Sequence, residues 1–436
     1  MEKAFYYIGL LVACISFINL IRLSFLLIGS DIYNLILHRK LKKLWQKSDE
    51  FYPMMSIIIP AYNEEKTILT TVSSVLKNGY PMDKFEVIVV DDGSSDRTSQ
   101  IVREFKDRHR INNLQIVTQQ NKGKAEALNT GIKQFSKGEL IMCLDADSFL
   151  GKGSLKNAAD HFQDRNVFGV AANVKIKEGK GILNLLQRFE YTVCYQMKRG
   201  QTVYNIEYII GGIGSTFRKD YLSVIGYYDS NTVTEDIDLT MKLLRNGNKM
   251  IRVMYAADVI AYTQSALSIS DLIKQRFRWK WGRYQTFWKN KYMFFSFDKK
   301  FTKGLTWIYL PYALFADIAF LFEPLIVGYI IFLTIAYHDY FTLLSAFLVI
   351  SFYIMMNILA EDTLIFTDKV TMFLLSPTMY LFFYILSFVE YVALLKAIVK
   401  IHTLRRSLSE KGHVWQPVKR ESYITNVSNL NSGITL

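Results

Sequence analysis

The chain carries long apolar runs at both ends and a polar stretch between them, and this division constrains its fold more than any other feature. The first run, Phe5–Ile28, contains a single charged residue, Arg22. A helix needs roughly 20 apolar residues to cross the hydrocarbon core of a bilayer, so this run is long enough to span it. A cleaved signal peptide is the alternative, which Glu2 and the lack of an A-x-A-like exit disfavour. We therefore expect an N-terminal transmembrane segment over residues 1–37.

Charge and cysteine content both indicate where the polar part of the chain lies. Four Lys and Arg residues stand in His38–Lys43, whereas only Lys3 precedes the apolar run. Positive residues favour the cytoplasmic side, so we expect residue 40 onward in the cytoplasm and the N-terminus outside. The three cysteines are scattered and odd in number, which excludes a disulfide framework or a zinc site and fits a reducing compartment; they are Cys14, Cys143 and Cys194. The net charge of +13 suits anionic phosphates or anionic lipid without choosing between them.

Three further apolar runs predict a C-terminal transmembrane region over residues 305–400. They are Leu305–Tyr337, Phe341–Leu359 and Thr371–Val399, and each is long enough to span. Three spans after one N-terminal span would leave the C-terminus outside, yet the tail, residues 401–436, is basic and belongs in the cytoplasm. We therefore expect one run to be interfacial or re-entrant. The candidates are the two runs that prolines interrupt, the first at Pro311 and Pro324 and the third at Pro377.

A basic and aromatic stretch precedes this region. Within residues 266–304, the segment Ile269–Tyr292 mixes Lys and Arg with Phe, Trp and Tyr. Such a composition is typical of an amphipathic helix lying at a membrane surface. A nucleic-acid-binding patch is the alternative, and the apolar runs that follow disfavour it. We expect interfacial helices over 266–304 and no nucleic-acid partner.

The polar middle, residues 50–265, alternates short apolar runs with amphipathic stretches. The runs rich in Ile, Val and Leu are Met54–Pro60, Glu86–Val90, Leu114–Val117 and Leu140–Leu144. The stretches with helical periodicity are Glu64–Leu76, Ser95–Phe105 and Lys124–Phe135. This βαβα alternation predicts an α/β domain with a mainly parallel sheet covered by helices. Ligands of such sheets bind at the carboxyl ends of the strands.

Two strand-end motifs are candidates for a nucleotide pocket. Ser56–Glu65 is an apolar strand that breaks at Pro60, and Glu86–Asp96 is a strand that ends in two carboxylates. Side chains at these ends can face a base or ribose, and a carboxylate can accept hydrogen bonds from either. An ordinary strand–helix turn accounts equally well for the first motif. Helix capping by residues 92–95 accounts equally well for the second.

Two further motifs supply charge for a diphosphate. Asn121–Asn129 opens a helix with a glycine turn and Lys124, which can contact phosphate at a helix N-terminus. It is not a P-loop, because G-x-x-x-x-G-K-[ST] is absent, and a solvated lysine is the alternative. Leu140–Ser148 is an apolar strand that ends in Asp145 and Asp147. At a period of two both carboxylates project to the same side, which suits a divalent cation that also binds a diphosphate.

Val233–Gly247 opens an amphipathic helix with the sequence Thr-Glu-Asp. Asp236 or Glu235 is therefore a candidate general base, and capping of the helix by Thr234 is the alternative.

Gln275, Arg278 and Trp279 lie at positions i, i+3 and i+4 and so share one helical face. Arginine can clamp a diphosphate and tryptophan can stack on a sugar ring, so this face is a candidate site for both groups.

Together these motifs, in this order, resemble the processive family-two glycosyltransferases of membranes, which include cellulose, chitin, hyaluronan and poly-N-acetylglucosamine synthases. The matching strings are P-A-Y-N-E, V-D-D-G-S, N-x-G-K-A-x-A-L-N, D-A-D, T-E-D and Q-x-x-R-W, over about residues 54–290. The wording "NKGKAEALNTGIKQ" and "MCLDADS" and the single N-terminal span are most similar to the bacterial poly-N-acetylglucosamine synthases. The resemblance implies a GT-A-like nucleotide-sugar domain flanked by transmembrane helices.

The resemblance also implies roles for individual residues. Those expected to line the uridine pocket are Ala61, Tyr62, Glu64 and Asp91 or Asp92. Those expected at the diphosphate and the sugar are Lys124, Asp145, which orients the nucleotide-sugar, and Asp147, which binds the metal ion. Those expected at the acceptor are Asp236 as the base, Gln275, Arg278 and Trp279 at the diphosphate and acceptor end, and Gly211 and Gly212 in the acceptor-site turn.

The implied function is that of a membrane-embedded inverting glycosyltransferase. It would use a UDP-sugar, most simply UDP-N-acetylglucosamine, and Mg²⁺ or Mn²⁺ to extend a β-linked exopolysaccharide, with membrane lipid around it and room for a small membrane partner protein. The alternative is a non-processive transferase that makes a glycolipid; a transporter with a nucleotide-binding domain is disfavoured by the lack of an inverted repeat. Lys280-Trp281-Gly282 and Gly211–Thr216 depart from the family's usual wording, which leaves the sugar open.

Overall fold

The computed structural model of the protein describes residues 2–37, 39, 42, 51–338 and 340–409. Most of the basic run His38–Lys43 and the basic tail over residues 410–436 lie outside the described residues. The membrane orientation expected from those charges therefore stays a prediction.

The polar middle folds around one eight-stranded sheet within the described residues. Its strands are β1 Met55–Ala61, β2 Phe85–Asp91, β3 Leu114–Thr118, β4 Leu140–Cys143, β5 Phe149–Leu150, β6 Val167–Ile176, β7 Ser215–Arg218 and β8 Arg252–Thr263. The spatial order is β3-β2-β1-β4-β7-β6-β8-β5. Neighbours among β3, β2, β1 and β4 run parallel, as do β6 and β8, whereas β7 and β5 run antiparallel to the strands beside them. The mainly parallel α/β sheet is confirmed, and the antiparallel β7 is an addition that the sequence pattern did not predict.

The central strands are buried on both faces, which explains why they read as continuous apolar runs. Every residue of β1 and β2 is buried. Because side chains alternate along a strand, Ile57 and Ile59 enter one hydrophobic core and Ile58 enters another on the opposite face. Helices therefore cover both faces of the sheet.

The helices of this part are α2 Ile68–Leu76, α3 Thr98–His109, α4 Lys124–Thr130, α5 Ser154–His161, α6 Ile182–Val203, α7 Lys219–Ile225, α8 Glu235–Asn246 and α9 Ile269–Lys289. A π-helical turn, Gly131–Phe135, continues α4, so the helix expected over 124–135 is present. The first helix starts at Ile68 rather than Glu64. Residues 63–65 instead form a loop whose backbone donates hydrogen bonds to side chains of residues 94–98.

The apolar ends of the chain are helical. They form α1 Glu2–Ile32, α10 Leu310–Leu321, α11 Glu323–Tyr337, α12 Tyr340–Leu359 and α13 Phe366–Val399, and a short helix, α14 Leu404–Ser409, follows at the start of the basic tail. By length and composition, three helical segments of the described chain can cross a membrane: Tyr6–Ile36, Gly304–Leu321 and Phe366–Val399. The rest of the protein covers few of their side chains: in the most apolar stretch of Tyr6–Ile36, only 6% is buried.

The prolines affect these helices unequally. The run expected over 305–337 divides at Phe322, and Pro324 occupies the first turn of α11. Pro311 lies near the start of α10, which continues directly from the π-helical turn Gly304–Tyr309, and it does not interrupt the helical segment. By contrast, Pro377 stands inside α13 without ending it. Of the two runs expected to be interrupted, only the first is divided.

Candidate active site

Side chains from three distant segments meet beyond the carboxyl end of β4. The Lys124 ammonium, at the start of α4, lies 2.7 Å from Asp145 Oδ1 and 3.0 Å from Glu235 Oε1. Asp236, the next residue of α8, contributes a third carboxylate. We call Lys124, Asp145, Glu235 and Asp236 the lysine–carboxylate cluster. Its location at the carboxyl ends of parallel strands is where the α/β pattern placed a ligand site.

Lys124 is an ion-paired, mostly buried lysine. Its side chain is 22% exposed, which excludes the solvated lysine considered as the alternative. Burial by itself lowers the pKa of Lys124, but the carboxylates Asp145, Glu235 and Asp236 together raise it above its ordinary value. The ammonium is therefore charged at any physiological pH, and three carboxylates around it leave the cluster with an excess of negative charge.

Backbone N–H groups fix the carboxylate of Asp236. The amide of Gly212 donates to Asp236 Oδ2 at 3.0 Å, and the amide of Ile237 donates to Oδ1 at 2.8 Å. Burial, followed by repulsion from Glu235, raises the pKa of Asp236 from 3.8 to about 6. A carboxylate that is held in one orientation and titrates near neutrality has the properties of a general base.

Gly211 and Gly212 precede β7, and the second of them adjoins the cluster. A Cβ atom on Gly212 would lie 3.0 Å from Lys124 Nζ and 3.8 Å from both Asp145 Oδ1 and Asp236 Oδ2. A Cβ on Gly211 would meet no atom within 4 Å among the described residues. Because residue 212 has no side chain, the backbone can approach the carboxylates, whereas the space beside Gly211 holds no described atom.

Thr234 occupies the N-cap position of α8, but it does not cap the helix with its side chain. No hydrogen bond joins its hydroxyl to the first turn, and Thr234 Oγ1 is buried without a hydrogen-bond partner in the described structure. The capping role considered as the alternative for this motif is therefore wrong. The hydroxyl packs against the backbone of α9 instead.

The two carboxylates that follow β2 organise neighbouring loops. Asp91 Oδ1 accepts from the amide of Ser94 at 2.9 Å. Asp92 is fully buried and accepts from the Gln119 side chain and from the amides of Lys122 and Gly123, at 2.7 to 3.0 Å. Asp92 thereby fixes the loop that delivers Lys124.

The alternative for this motif, capping of the next helix by residues 92–95, is also wrong. At the start of α3 the hydrogen bond to a backbone amide is accepted by Asp96 instead, whose Oδ1 lies 2.9 Å from the amide nitrogen of Thr98. The assignment of Asp91 or Asp92 to uridine stays a prediction.

The residues expected at the base and ribose lie together at the end of β1. Ala61 ends the strand, is fully buried, and accepts from the amide of Asp92 through its carbonyl at 2.8 Å. Tyr62 and Glu64 follow in a loop and remain partly exposed. Glu64 Oε2 accepts from the Thr67 hydroxyl at 2.7 Å. These three residues thus border the same edge of the sheet as Asp91, although no contact of theirs tests a role in binding uridine.

Asp145 and Asp147 lie in a turn rather than on a strand. β4 ends at Cys143, and the amide of Ser148 closes a turn on the carbonyl of Asp145 at 3.0 Å. The strand alternation used to put both carboxylates on one side therefore does not apply. Asp145 faces Lys124, while Asp147 is buried and accepts from the Ser148 hydroxyl at 3.1 Å.

No three His, Cys, Asp or Glu side chains are grouped to hold a metal ion in the part of the chain that the structure describes. This finding does not conflict with a metal site in which the substrate supplies some of the ligands. Mg²⁺ commonly uses one or two carboxylates and completes its shell with water and substrate phosphates. The donor chemistry of Asp145 and Asp147 fits that pattern.

Gln275, Arg278 and Trp279 lie on α9, and no hydrogen bond or ion pair between described residues joins them to the cluster. Arg278 is exposed, and Trp279 is partly buried. The guanidinium that approaches Trp279 is that of Arg276, which lies 4.5 Å from the ring centroid. The roles expected for Gln275, Arg278 and Trp279 at the diphosphate and acceptor stay predictions.

Buried basic residues of α9 pair with carboxylates on three other helices, α6, α10 and α13. The pairs are Arg276–Glu190 at 2.6 Å, Arg276–Glu390 at 3.3 Å, Lys280–Glu390 at 3.0 Å, Lys280–Asp317 at 3.4 Å, and Arg283–Asp317. The sequence predicted an amphipathic helix at a membrane surface, and that location stays a prediction. These three basic side chains face protein carboxylates, and the series of pairs joins the α/β domain to two of the apolar helices.

Two functional contributions escaped the sequence analysis. Glu235 was considered only as an alternative base, but it pairs with Lys124. Arg276 stands inside the Q-x-x-R-W string at a position that the motif leaves open, yet it is 7% exposed. The spacing of Arg276, Lys280 and Arg283 at i, i+4 and i+7 was the available signal, because it places three cations on one helical face.

Comparisons with known proteins follow this geometry. Residues 56–226 match the family described as glycosyl transferase family 2. The chain is 31% identical over 296 residues to a poly-β-1,6-N-acetyl-D-glucosamine synthase of Staphylococcus epidermidis, a match that covers 65% of this chain and 70% of that protein. It is 33% identical over 233 residues to the protein of the same description from Staphylococcus aureus strain COL, covering 53% of this chain and 55% of the relative.

A solved structure shares the fold. A mannosyltransferase from Pyrobaculum calidifontis, in complex with GDP-Man and Mn²⁺, superposes with a TM-score of 0.55 over 86% of this chain and 97% of its own, at 20% identity. The topology of the sheet, the order of the motifs and the extent of the sequence match all indicate the same family. The chain belongs to glycosyltransferase family 2 and is a glycosyltransferase with a GT-A-like fold.

Proposed function

We propose that this glycosyltransferase is a membrane-embedded, inverting polymerase that transfers N-acetylglucosamine from UDP-N-acetylglucosamine to the end of a growing β-linked polysaccharide. The lysine–carboxylate cluster is the observation that carries the proposal, because it brings a lysine that could bind phosphate, a carboxylate held in one orientation and two further carboxylates to one sheet edge. The sugar is taken from the synthases to which the chain is similar.

The charge of the cluster supports the use of a divalent cation. One ammonium stands among the carboxylates of Asp145, Glu235 and Asp236, and a nucleotide diphosphate would add further negative charge. Lys124 is the residue that would contact the diphosphate, exchanging a carboxylate partner for a phosphate oxygen. Asp145 and Asp147 would hold the cation, Mg²⁺ or Mn²⁺, which supplies positive charge that stabilises the departing diphosphate.

Asp236 is the residue that would accept the proton of the acceptor hydroxyl. Its carboxylate is held by the amides of Gly212 and Ile237, so it does not need to reorient as the reaction proceeds. The acceptor oxygen forms a bond to the anomeric carbon while the bond from that carbon to the diphosphate breaks. Attack on the face opposite the leaving group converts an α-linked donor into a β-linked product, and the proton passes to Asp236.

The apolar helices support a location in the membrane. A UDP-sugar donor would require the catalytic part to lie on the cytoplasmic side, where UDP-sugars are made. Asp317 and Glu390 lie on helical segments long and apolar enough to cross a bilayer, and both pair with basic residues of α9. Paired charges of this kind are the form in which ionisable side chains are tolerated near a bilayer. The acceptor end of the polysaccharide would lie at this junction, near Trp279.

The test is incorporation of radiolabel from a panel of UDP-sugars by the full-length protein purified in detergent. We expect long polymer from UDP-N-acetylglucosamine, and loss of product in Asp236→Asn but not in the matched control Asp220→Asn, which changes an exposed residue of α7. Label recovered only in an organic-soluble glycolipid would overturn polymer synthesis in favour of a lipid acceptor. Label from a different UDP-sugar alone would overturn the proposed donor.

A further inference from the structure

The helix α9 contacts the segment that carries the proposed base. Its residues Gly282, Gln285 and Lys289 follow one another at i, i+3 and i+7, so they share a face. This face is turned toward residues 229–238, which lead into the first turn of α8. The basic residues Arg276, Lys280 and Arg283 serve the separate ion pairs with the other helices.

The approach of the two segments is closest at Gly282. A Cβ atom there would lie 2.1 Å from Thr234 Oγ1 and 2.5 Å from Thr234 Cγ2, so only glycine leaves room for the threonine. The backbone of α9 thus packs directly on the residue that precedes Glu235 and Asp236. Any sideways movement of α9 is transmitted to this point, because a packed contact cannot be compressed.

Gln285 holds the same segment through its side-chain amide. It is fully buried, and its Oε1 accepts from the amide of Val233 at 3.0 Å. Its Nε2 donates to the Ser407 hydroxyl at 3.0 Å, and that hydroxyl in turn donates to the carbonyl of Leu404. Both ends of the amide are therefore used, one on the loop before the base and one on α14.

Lys289 holds the segment on either side of the base. Its ammonium donates to Asp229 Oδ2 at 2.9 Å and to Asn231 Oδ1 at 3.0 Å, before the base in the chain, and to Asp238 Oδ2 at 2.6 Å, after it. Together with Gln285, it leaves the residues around Asp236 with little freedom to shift relative to α9.

We propose that Gln285 is a positioning residue for Asp236, which it acts on through the backbone of Val233. The inference rests on the proposed function, in which Asp236 is the base. Val233 lies three residues before Asp236, and Asp236 accepts hydrogen bonds from Gly212 and Ile237 only within a narrow range of positions. Catalytic side chains must be held to within about 0.5 Å, so a loosened Val233 misplaces the carboxylate.

The test compares variants of the full-length protein in detergent, with kcat, KM for the UDP-sugar and UDP affinity measured separately. Gln285→Met keeps length and removes both hydrogen bonds. We expect kcat to fall roughly 10-fold to 100-fold, the range that a misplacement of up to about 1 Å produces, with KM and UDP affinity within about twofold. Gln285→Glu retains an oxygen that can accept from Val233 and should recover part of kcat. The matched control, Gln163→Met, makes the same change after α5 and should keep full activity.

Two further variants make each outcome decisive. Full kcat per folded molecule in Gln285→Met would overturn the proposal, as would equal losses of kcat and of UDP affinity. If Gln285→Met does not fold, Gln285→Asn decides, because it keeps a side-chain amide but is one methylene too short to accept from the amide of Val233: a lowered kcat at unchanged KM supports the proposal, and an unchanged kcat overturns it. Normal turnover in Asp236→Asn would instead show that the base assignment itself is wrong, independently of Gln285.

Discussion

Replacing Asp236 by Asn separates the chemistry of this residue from its structural contribution, and the structure gives the size of each. Asn keeps the shape of the side chain but cannot accept a proton at neutral pH. General-base catalysis typically contributes 10²-fold to 10⁴-fold, so we expect turnover to fall by at least about 10²-fold. UDP affinity should persist, because the carboxylate contacts backbone amides and is not assigned to the nucleotide.

The stability of Asp236→Asn follows from two opposing contributions. The pKa of Asp236 is raised from 3.8 to about 6 by burial and by Glu235, which corresponds to about 3 kcal/mol against the ionised side chain in the folded protein at pH 7. Asn removes this cost. It also has one oxygen where the carboxylate has two, so either Gly212 or Ile237 loses its acceptor, which costs about 1–3 kcal/mol. We therefore expect the free energy of unfolding to change by no more than about 2 kcal/mol.

The sign of the pH dependence provides an internal check. A carboxyl group whose pKa is raised by folding favours the folded state at low pH, and this contribution is lost as the pH rises through about 6. The variant lacks this titration, so its stability relative to the native protein should increase from pH 5 to pH 8. The kcat/KM of the native protein should fall as the pH drops through about 6, because the protonated carboxyl of the free enzyme cannot accept a proton.

The assays are UDP release for turnover, calorimetric titration for UDP affinity, and thermal unfolding at pH 5 and pH 8 in the same detergent. Asp220→Asn, on the exposed surface of α7, controls for the loss of one carboxylate. The reasoning is refuted if Asp236→Asn turns over at more than a tenth of the native rate. A collapse of UDP affinity in parallel with turnover would instead make Asp236 a nucleotide-binding residue.

Three other predictions concern the cation, the acceptor and the membrane. Excess chelator should abolish activity, and Mg²⁺ or Mn²⁺ should restore it; full activity in chelator would exclude a divalent cation at Asp145 and Asp147. Trp279→Ala should shorten the polymer while UDP binding persists, and polymer of normal length from folded Trp279→Ala would contradict the acceptor role. Arg276→Lys should also shorten the polymer, since lysine keeps the charge but loses the planar stacking on Trp279, which is worth about 0.5–2 kcal/mol. A reporter fused after Lys43 should read as cytoplasmic, and an external reading would contradict the proposed orientation.

Much of the catalytic part could be predicted from the sequence because local pattern and topology agree there. Apolar runs buried on both faces mark parallel strands, and parallel strands bring their carboxyl ends to one edge. This reasoning assigned both Lys124 and Asp145 to that edge, where their side chains lie 2.7 Å apart. It could not supply Glu235 as the partner of Lys124, because α8 reaches the cluster through the antiparallel β7 and a long connection that no local pattern predicts.

Individual roles at strand ends were harder to predict than locations. Asp92 follows a strand and precedes a glycine turn, a context that suits a ligand contact or a helix cap equally. The structure gives it a third role, since it binds the loop of residues 119–123 that delivers Lys124. A carboxylate has about four acceptor sites, and three donors from one loop occupy most of them. The spacing of residues within a motif does not reveal a hydrogen-bond partner that is distant in sequence.

The helix α9 shows most clearly why charge patterns need the counter-charges before they can be interpreted. A helix rich in Lys, Arg and aromatic residues predicts contact with lipid headgroups only if its cations lack protein partners. Glu190, Asp317 and Glu390 supply those partners from three helices far apart in sequence. Buried ion pairs contribute little net stability, but removing one partner costs about 3–5 kcal/mol. These pairs therefore specify where α9 lies more than how stable the protein is. The same helix packs against Thr234 and Val233, so the apolar helices and the proposed base are held by opposite sides of one rigid element.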